Sequence, residues 1–149
     1  MVDGIVVRLA AELDLVGLLN LKIEWAGRPA AADEREQLRF ALDDWLQRPD
    51  VVCAVAEYRG ELVGMAWMVV FDRVPDLGNV ERQSADVQSV FVTPPHRGDG
   101  LGSELVGLLC AVADQRSIPR VIVHSSTRAM GLYRRAGFSA SQKLMQREL

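Results

Sequence analysis

Two apolar, β-rich runs, VVCAVAEY at 51–58 and LVGMAWMVVF at 62–71, are separated only by Arg59-Gly60-Glu61. That pattern predicts a β-hairpin near the middle of the chain. A different pattern follows. An apolar stretch at 87–92 ends at Thr93-Pro94-Pro95, and glycines follow at 98, 100 and 102. Leu101, Leu105, Leu108, Leu109 and Val112 then mark one face of a helix reaching about Arg116. Pro119 precedes another strand at 121–124. A hairpin joined to a strand–helix–strand unit requires a mixed sheet flanked by helices.

The remaining segments fit around that frame. Residues 5–9 read as a short strand, and 13–25 as an imperfect helix ending near Gly27 and Pro29. Leu38, Ala41, Leu42 and Trp45 fall at i, i+3, i+4 and i+7 of a helix over 33–47, which Pro49 stops. Residues 72–85 read as a polar loop. Residues 129–135 suit a short helix stopped at Gly137, and 138–149 can supply one or two final strands. No repeat or linker divides the chain, so 1–149 is read as a single domain.

Bulk properties narrow the function. The formal charge of −3 gives no global reason to expect a nucleic-acid partner. Cys53 and Cys110 are too few for a disulfide framework and lack metal-ligand spacing, so no metal is expected. Asp3 stands where a secretory signal would carry basic residues. The longest apolar run, 62–71, is about half the length of a membrane helix. A cytoplasmic protein without a membrane partner is expected.

The stretch HRGDGLGS at 96–103 carries two meanings. Arg97-Gly98-Asp99 is the tripeptide that adhesion proteins show to integrins, which would require export. The same glycines, placed between a strand and a helix, suit an anion-gripping turn. Free N–H groups and the helix dipole bind phosphate there, glycines admit close backbone approach, and Arg97 could add a charge-assisted contact. A phosphate loop of the Gly-x4-Gly-Lys type is absent, and the Gly-x-Gly-x-Gly spacing is not the dinucleotide fingerprint. A plain strand-to-helix turn is the bland alternative.

At this point the sequence resembles the Gcn5-related N-acetyltransferase (GNAT) superfamily. Arg97-Gly98-Asp99-Gly100-Leu101-Gly102 matches that family's acetyl-CoA loop, Arg/Gln-x-x-Gly-x-Gly/Ala. VFVTPPHRGDGLG before and through the loop is similar to the family's strand, proline and loop sequence. HSSTRAMGLYRRAGF at 124–138 resembles its second motif, and Leu144-Met145-Gln146-Arg147 its last strand. The resemblance is strong over 86–149 and rests on element order before that. It implies an α/β (α+β) fold with a mixed, mostly antiparallel sheet of about six or seven strands and about four helices. Two strands would splay to form an acetyl-CoA cleft.

The resemblance also implies roles. Val90, Phe91 and Val92 would offer backbone to the pantetheine arm, and the loop through Ser103 would hold the pyrophosphate. Tyr133 matches the tyrosine that protonates the departing thiolate; its bland role is packing. Asp86 stands where many relatives carry a basic glutamate. By period-2 alternation Asp86, Gln88 and Val90 share a face, although a solvated aspartate is the alternative. Arg128, Arg134 and Arg135 form a basic cluster that could reach the nucleotide phosphates, with a solvated helix face as the plainer reading. Cys53, Cys110, Met65, Trp67 and Met68 read as core residues. The implied activity is acetyl-CoA-dependent acetyl transfer to a small-molecule or peptide amine, with a non-catalytic acyl-CoA-binding module as the alternative. The resemblance allows a homodimer without fixing an interface.

Overall fold

The computed structural model describes residues 4–149. It contains β1 (Ile5–Leu9), α1 (Leu15–Ala26), α2 (Ala32–Leu46), β2 (Val51–Tyr58), β3 (Glu61–Arg73), β4 (Arg82–Val92), α3 (Leu101–Gln115), β5 (Val121–Val123) and α4 (Met130–Arg135). The five strands form one sheet in chain order, antiparallel throughout except for the parallel β4–β5 pair. That parallel pair needs a crossover, and α3 supplies it.

The sheet divides the core in two. Ala54, Ala66, Met68, Ala85 and Val87 pack on one face against Leu105, Val106 and Leu109 of α3. Cys53, Val55, Met65, Trp67 and Phe91 pack on the other against Leu18, Leu19 and Leu21 of α1 and Leu42 of α2. With helices on both faces, β2 and the middle of β3 are buried at nearly every position, which is why their sequences read as continuous apolar runs. Cys53 is buried, and burial pushes its thiol well above the ordinary range, as expected of a packing residue.

Two sequence expectations need correction. The loop is shorter than 72–85: only 74–81 lie outside the strands, and both ends of the segment are strand. β3 runs out to Arg73 and β4 begins at Arg82, with Asp72 facing Gln83 and Arg73 facing Arg82. Apart from the buried Ser84 and Ala85, most of its side chains protrude beyond the helices, so the outer ladder is held by backbone pairing and a 3.1 Å Gln83 Nε2–Asp72 Oδ1 bond. Apolar patterning cannot reveal such a strand. The sheet also has five strands, not six or seven, because 139–149 carries none and is exposed throughout. Leu144 and Met145 are adjacent in sequence, so this tail lacks the period-2 alternation that would give it one apolar face.

The β3–β4 ladder contains a bulge. Trp67 pairs with Gln88 and Met65 with Phe91, so Ser89 and Val90 stand opposite the single residue Ala66. Ser89 adopts φ 56°, outside the extended region. The bulge overturns the expected shared face of Asp86, Gln88 and Val90. Asp86 and Gln88 lie on the α1/α2 side, whereas Val90 packs with the α3 core and Phe91 with the α1/α2 core.

Candidate active site

β5 pairs with β4 only from Ala85–Val121 to Val87–Val123, and beyond that the two strands separate. A cleft of about 460 Å3 opens between the end of β4 and the start of α4. Residues 90–92, 97, 98 and 100–103 line one wall, with Ser126, Arg128, Ala129, Leu132 and Arg135 on the other. Of the expected cofactor-binding residues, only Asp99 does not line it. It is exposed.

The cleft floor is a backbone surface. Thr93 N–H donates to Val63 O across β3 at 2.9 Å. Alternation along the strand therefore turns the backbone of Val92 and Val90 toward the opposite edge, where β5 has already ended. Val92 O accepts a 2.8 Å bond from Arg97 Nε. β5 offers this part of β4 no partner, and Val90 and Val92 line the cleft.

The loop reaches the cleft through its glycines. Gly98 and Gly100 have φ of 93° and 80°, a conformation side chains rarely adopt, and Gly100 caps α3. The first helical bond runs from Glu104 N–H to Gly100 O, so the N–H groups of Leu101, Gly102 and Ser103 lie ahead of it, unused by the helix. These donors and the positive end of a fifteen-residue helix meet at the cleft mouth. Gly102 has a different reason: a Cβ there would lie 2.5 Å from Leu132 Cδ1. Ser103 Oγ donates to Leu132 O at 3.3 Å, fastening α3 to α4 at the same point.

Arg128, Arg134 and Arg135 are all exposed; Arg128 and Arg135 also line the mouth of the cleft, while Arg134 lines a separate cavity. Arg128 sits in the turn Thr127–Ala129 ahead of α4. With Arg97, three guanidinium groups surround a groove open to solvent. That charge suits a polyphosphate.

Tyr133 is 8% exposed, and its ring meets Phe138 edge-on at 5.6 Å. It lines a cavity of about 250 Å3 beside β5, next to the cleft wall at Leu132. Burial raises its phenol above the ordinary value of 10. Asp86 lies farther back on β4, flanked by Val69 and Ile122, and accepts a 2.9 Å bond from Gln88 Nε2. It does not line the cleft.

Sequence reasoning passed over the α1 contribution. Trp25 reaches into the cleft and stacks on Phe91, and Lys22 Nζ donates to Ser89 Oγ at 2.6 Å. Burial pushes the Lys22 ammonium below its ordinary value of 10.5. Both residues fall on a helix whose packing against the bulge is set by tertiary contacts, so no local spacing marks them.

A model of the acetyltransferase (GNAT) family matches residues 19–138. The chain is 30% identical over 143 residues to a glucosamine 6-phosphate N-acetyltransferase of Trypanosoma brucei brucei, covering 95% of this chain and 89% of that protein. An acetyltransferase of Clostridium acetobutylicum solved with acetyl-CoA superposes with a TM-score of 0.78 at 18% identity, covering 97% of this chain and 96% of that one. Glucosamine-6-phosphate N-acetyltransferase of Arabidopsis thaliana superposes with a TM-score of 0.79 at 18% identity, covering 98% and 99%. Among the described residues, no helix is long and apolar enough to cross a membrane, and no cluster of metal-ligating side chains occurs.

Proposed function

The chain belongs to the acetyltransferase (GNAT) family, and on that premise we propose that it transfers an acetyl group from acetyl-CoA directly to the primary amine of a small molecule. The observation that carries this reading is the join of two features at one cleft. Open strand backbone at Val90 and Val92 leads straight to the unused helix amides of residues 101–103. An extended thioester-bearing arm and a pyrophosphate need those two surfaces, in that order. The solved relative from Clostridium acetobutylicum, with its acetyl-CoA, supports the same choice of ligand.

Acetyl-CoA supplies an acyl carbon activated by a thiolate leaving group. The chain's part is binding, polarisation and proton transfer. The glycine loop, Arg97, Arg128 and Arg135 hold the phosphates. Backbone N–H groups at the bulge stabilise the oxygen as negative charge develops on it. The acceptor nitrogen attacks the acyl carbon, the C–N bond forms and the C–S bond breaks. Tyr133, a phenol protonated at neutral pH and pushed further that way by burial, gives its proton to the departing sulfur. Asp86, set back on β4 beside Gln88, takes the amine proton through intervening water.

The test is to incubate the purified protein with acetyl-CoA and an amine library while following free thiol. Thiol release that depends on the amine supports the reading. No heat of acetyl-CoA binding in calorimetry sinks it. Binding without thiol release from any amine would assign the cleft to acyl-CoA sensing.

A further inference from the structure

A second cavity, of about 200 Å3, lies on the α1/α2 face of the sheet against the same bulge. Ser89 lines this cavity and Val90 lines the cleft, so one peptide separates the two spaces. Leu38, Leu42, Trp45 and Trp67 give it apolar walls, and Lys22 is its one charged group.

Lys22 is placed unusually for a lysine. Its Nζ donates to Ser89 Oγ at 2.6 Å and stands 5.3 Å from the centre of the Trp25 ring. Among the described residues no carboxylate pairs with it, although six ion pairs occur elsewhere. Asp86, on the same sheet face, bonds Gln88 and does not line the cavity. Burial already disfavours the charged form of Lys22. A half-buried ammonium with only a hydroxyl and an indole face for company is under-compensated. The missing negative charge is one that a ligand can bring.

We propose that this second cavity is the acceptor subsite and that Lys22 makes the enzyme selective for small primary amines that also carry an anionic group. The inference rests on the acetyl-transfer reading above and adds the class of acceptor to it. The amine must meet the acyl carbon at the bulge while the anion meets Lys22 at Ser89, so one small molecule has to carry both groups. The apolar walls take the rest of the molecule, and the cavity is too small for a folded peptide. An amino carboxylate with an apolar or aromatic side chain is the simplest molecule of this description. A phosphorylated amino sugar has the same pairing of amine and anion over a longer span.

The experiment compares matched acceptors in one thiol-release assay. Leucine and phenylalanine are set against their primary amides, and glucosamine 6-phosphate against glucosamine. The wild-type protein is expected to favour the anionic member of at least one pair by about tenfold or more in kcat/KM, the range of a charge-assisted hydrogen bond. Lys22→Met should collapse that ratio toward one, and Lys22→Arg should retain most of it. Because the ratio is internal to each protein, a general loss of activity does not imitate the result, and acetyl-CoA calorimetry reports whether each variant is folded. Which pair shows the effect identifies the anion as carboxylate or phosphate. Turnover that is indifferent to the anion, or a preference that survives Lys22→Met, overturns the inference and leaves the acetyl-transfer reading standing. Absence of both acetyl-CoA binding and thiol release with every amine overturns both.

Discussion

The indole of Trp25 lies nearly parallel to the ring of Phe91, with centroids 5.5 Å apart and planes 20° apart. The Arg97 guanidinium lies 5.5 Å from the centre of the same Phe91 ring. One aromatic side chain thus ties α1, β4 and the glycine loop together at the cleft. Phe91→Ala should cost about 3–5 kcal/mol of stability as a buried large-to-small change, readable by urea denaturation. Phe91→Leu should keep most of the stability but release Arg97, weakening CoA binding several-fold in calorimetry. Unchanged CoA affinity in Phe91→Leu would mean that the stack does not position the loop.

The loop glycines separate into two mechanisms with different variants. Gly100→Val should abolish CoA binding, because a β-branched residue opposes φ of 80° and withdraws the helix amides. Gly102→Ala should be far milder, because the atom its Cβ would meet is the rotatable Cδ1 end of Leu132 and φ is ordinary there. Asp99→Lys should bind normally, since Asp99 faces solvent outside the cleft. Loss of binding in Asp99→Lys alone would refute this account of the turn.

Tyr133→Phe removes only an oxygen and leaves the edge-on contact with Phe138 available. If the phenol protonates the thiolate, kcat should fall by about a hundredfold or more while the KM for acetyl-CoA changes little. The upper limb of the kcat–pH profile should move with it. The raised value places that limb above pH 10 in the parent enzyme. A kcat within threefold of the parent would leave Tyr133 a packing residue.

Acid stability should depend on Asp14. Its carboxylate accepts two bonds from Arg8, at 2.7 and 2.9 Å, and one from Ala11 N–H at 2.7 Å. Arg8 foremost, with Ala11, holds it below its ordinary value of 3.8, so the folded state gives up this proton more readily than the unfolded chain. The resulting stabilisation is present above about pH 4 and drains away as pH falls through the depressed value. Asp14→Asn should cost about 1–3 kcal/mol at pH 7, and the gap from the parent should narrow below pH 4. A gap constant from pH 7 to pH 3 would rule out the ion pair as its source.

Much of the cofactor side was legible because it is local. A strand, a proline, three glycines and an amphipathic helix sit within one short stretch, and their geometry follows from neighbouring residues. The acceptor side is not local. Lys22 and Trp25 look like ordinary positions on an imperfect helix until α1 packs on the sheet. Ser89 gives no sign of φ 56° in a run that reads as continuous strand, so the face of Val90 was misassigned. That Arg128 and Arg135, though exposed, stand at the cleft mouth and Arg134 does not depends on where β5 leaves β4, which no local spacing encodes.

Ser89 works as a frameshift does in a message. Everything in β4 before it is read in one phase and everything after it in the other. Ironing the bulge flat with every residue kept would exchange the places of Val90 and Phe91, turning the aromatic ring out of the α1 stack and into the α3 core. Deleting Ser89 would do the opposite, leaving a regular ladder with Gln88, Val90 and Phe91 on their present faces and only the bulge lost. The count of residues along this strand is therefore part of the chemistry.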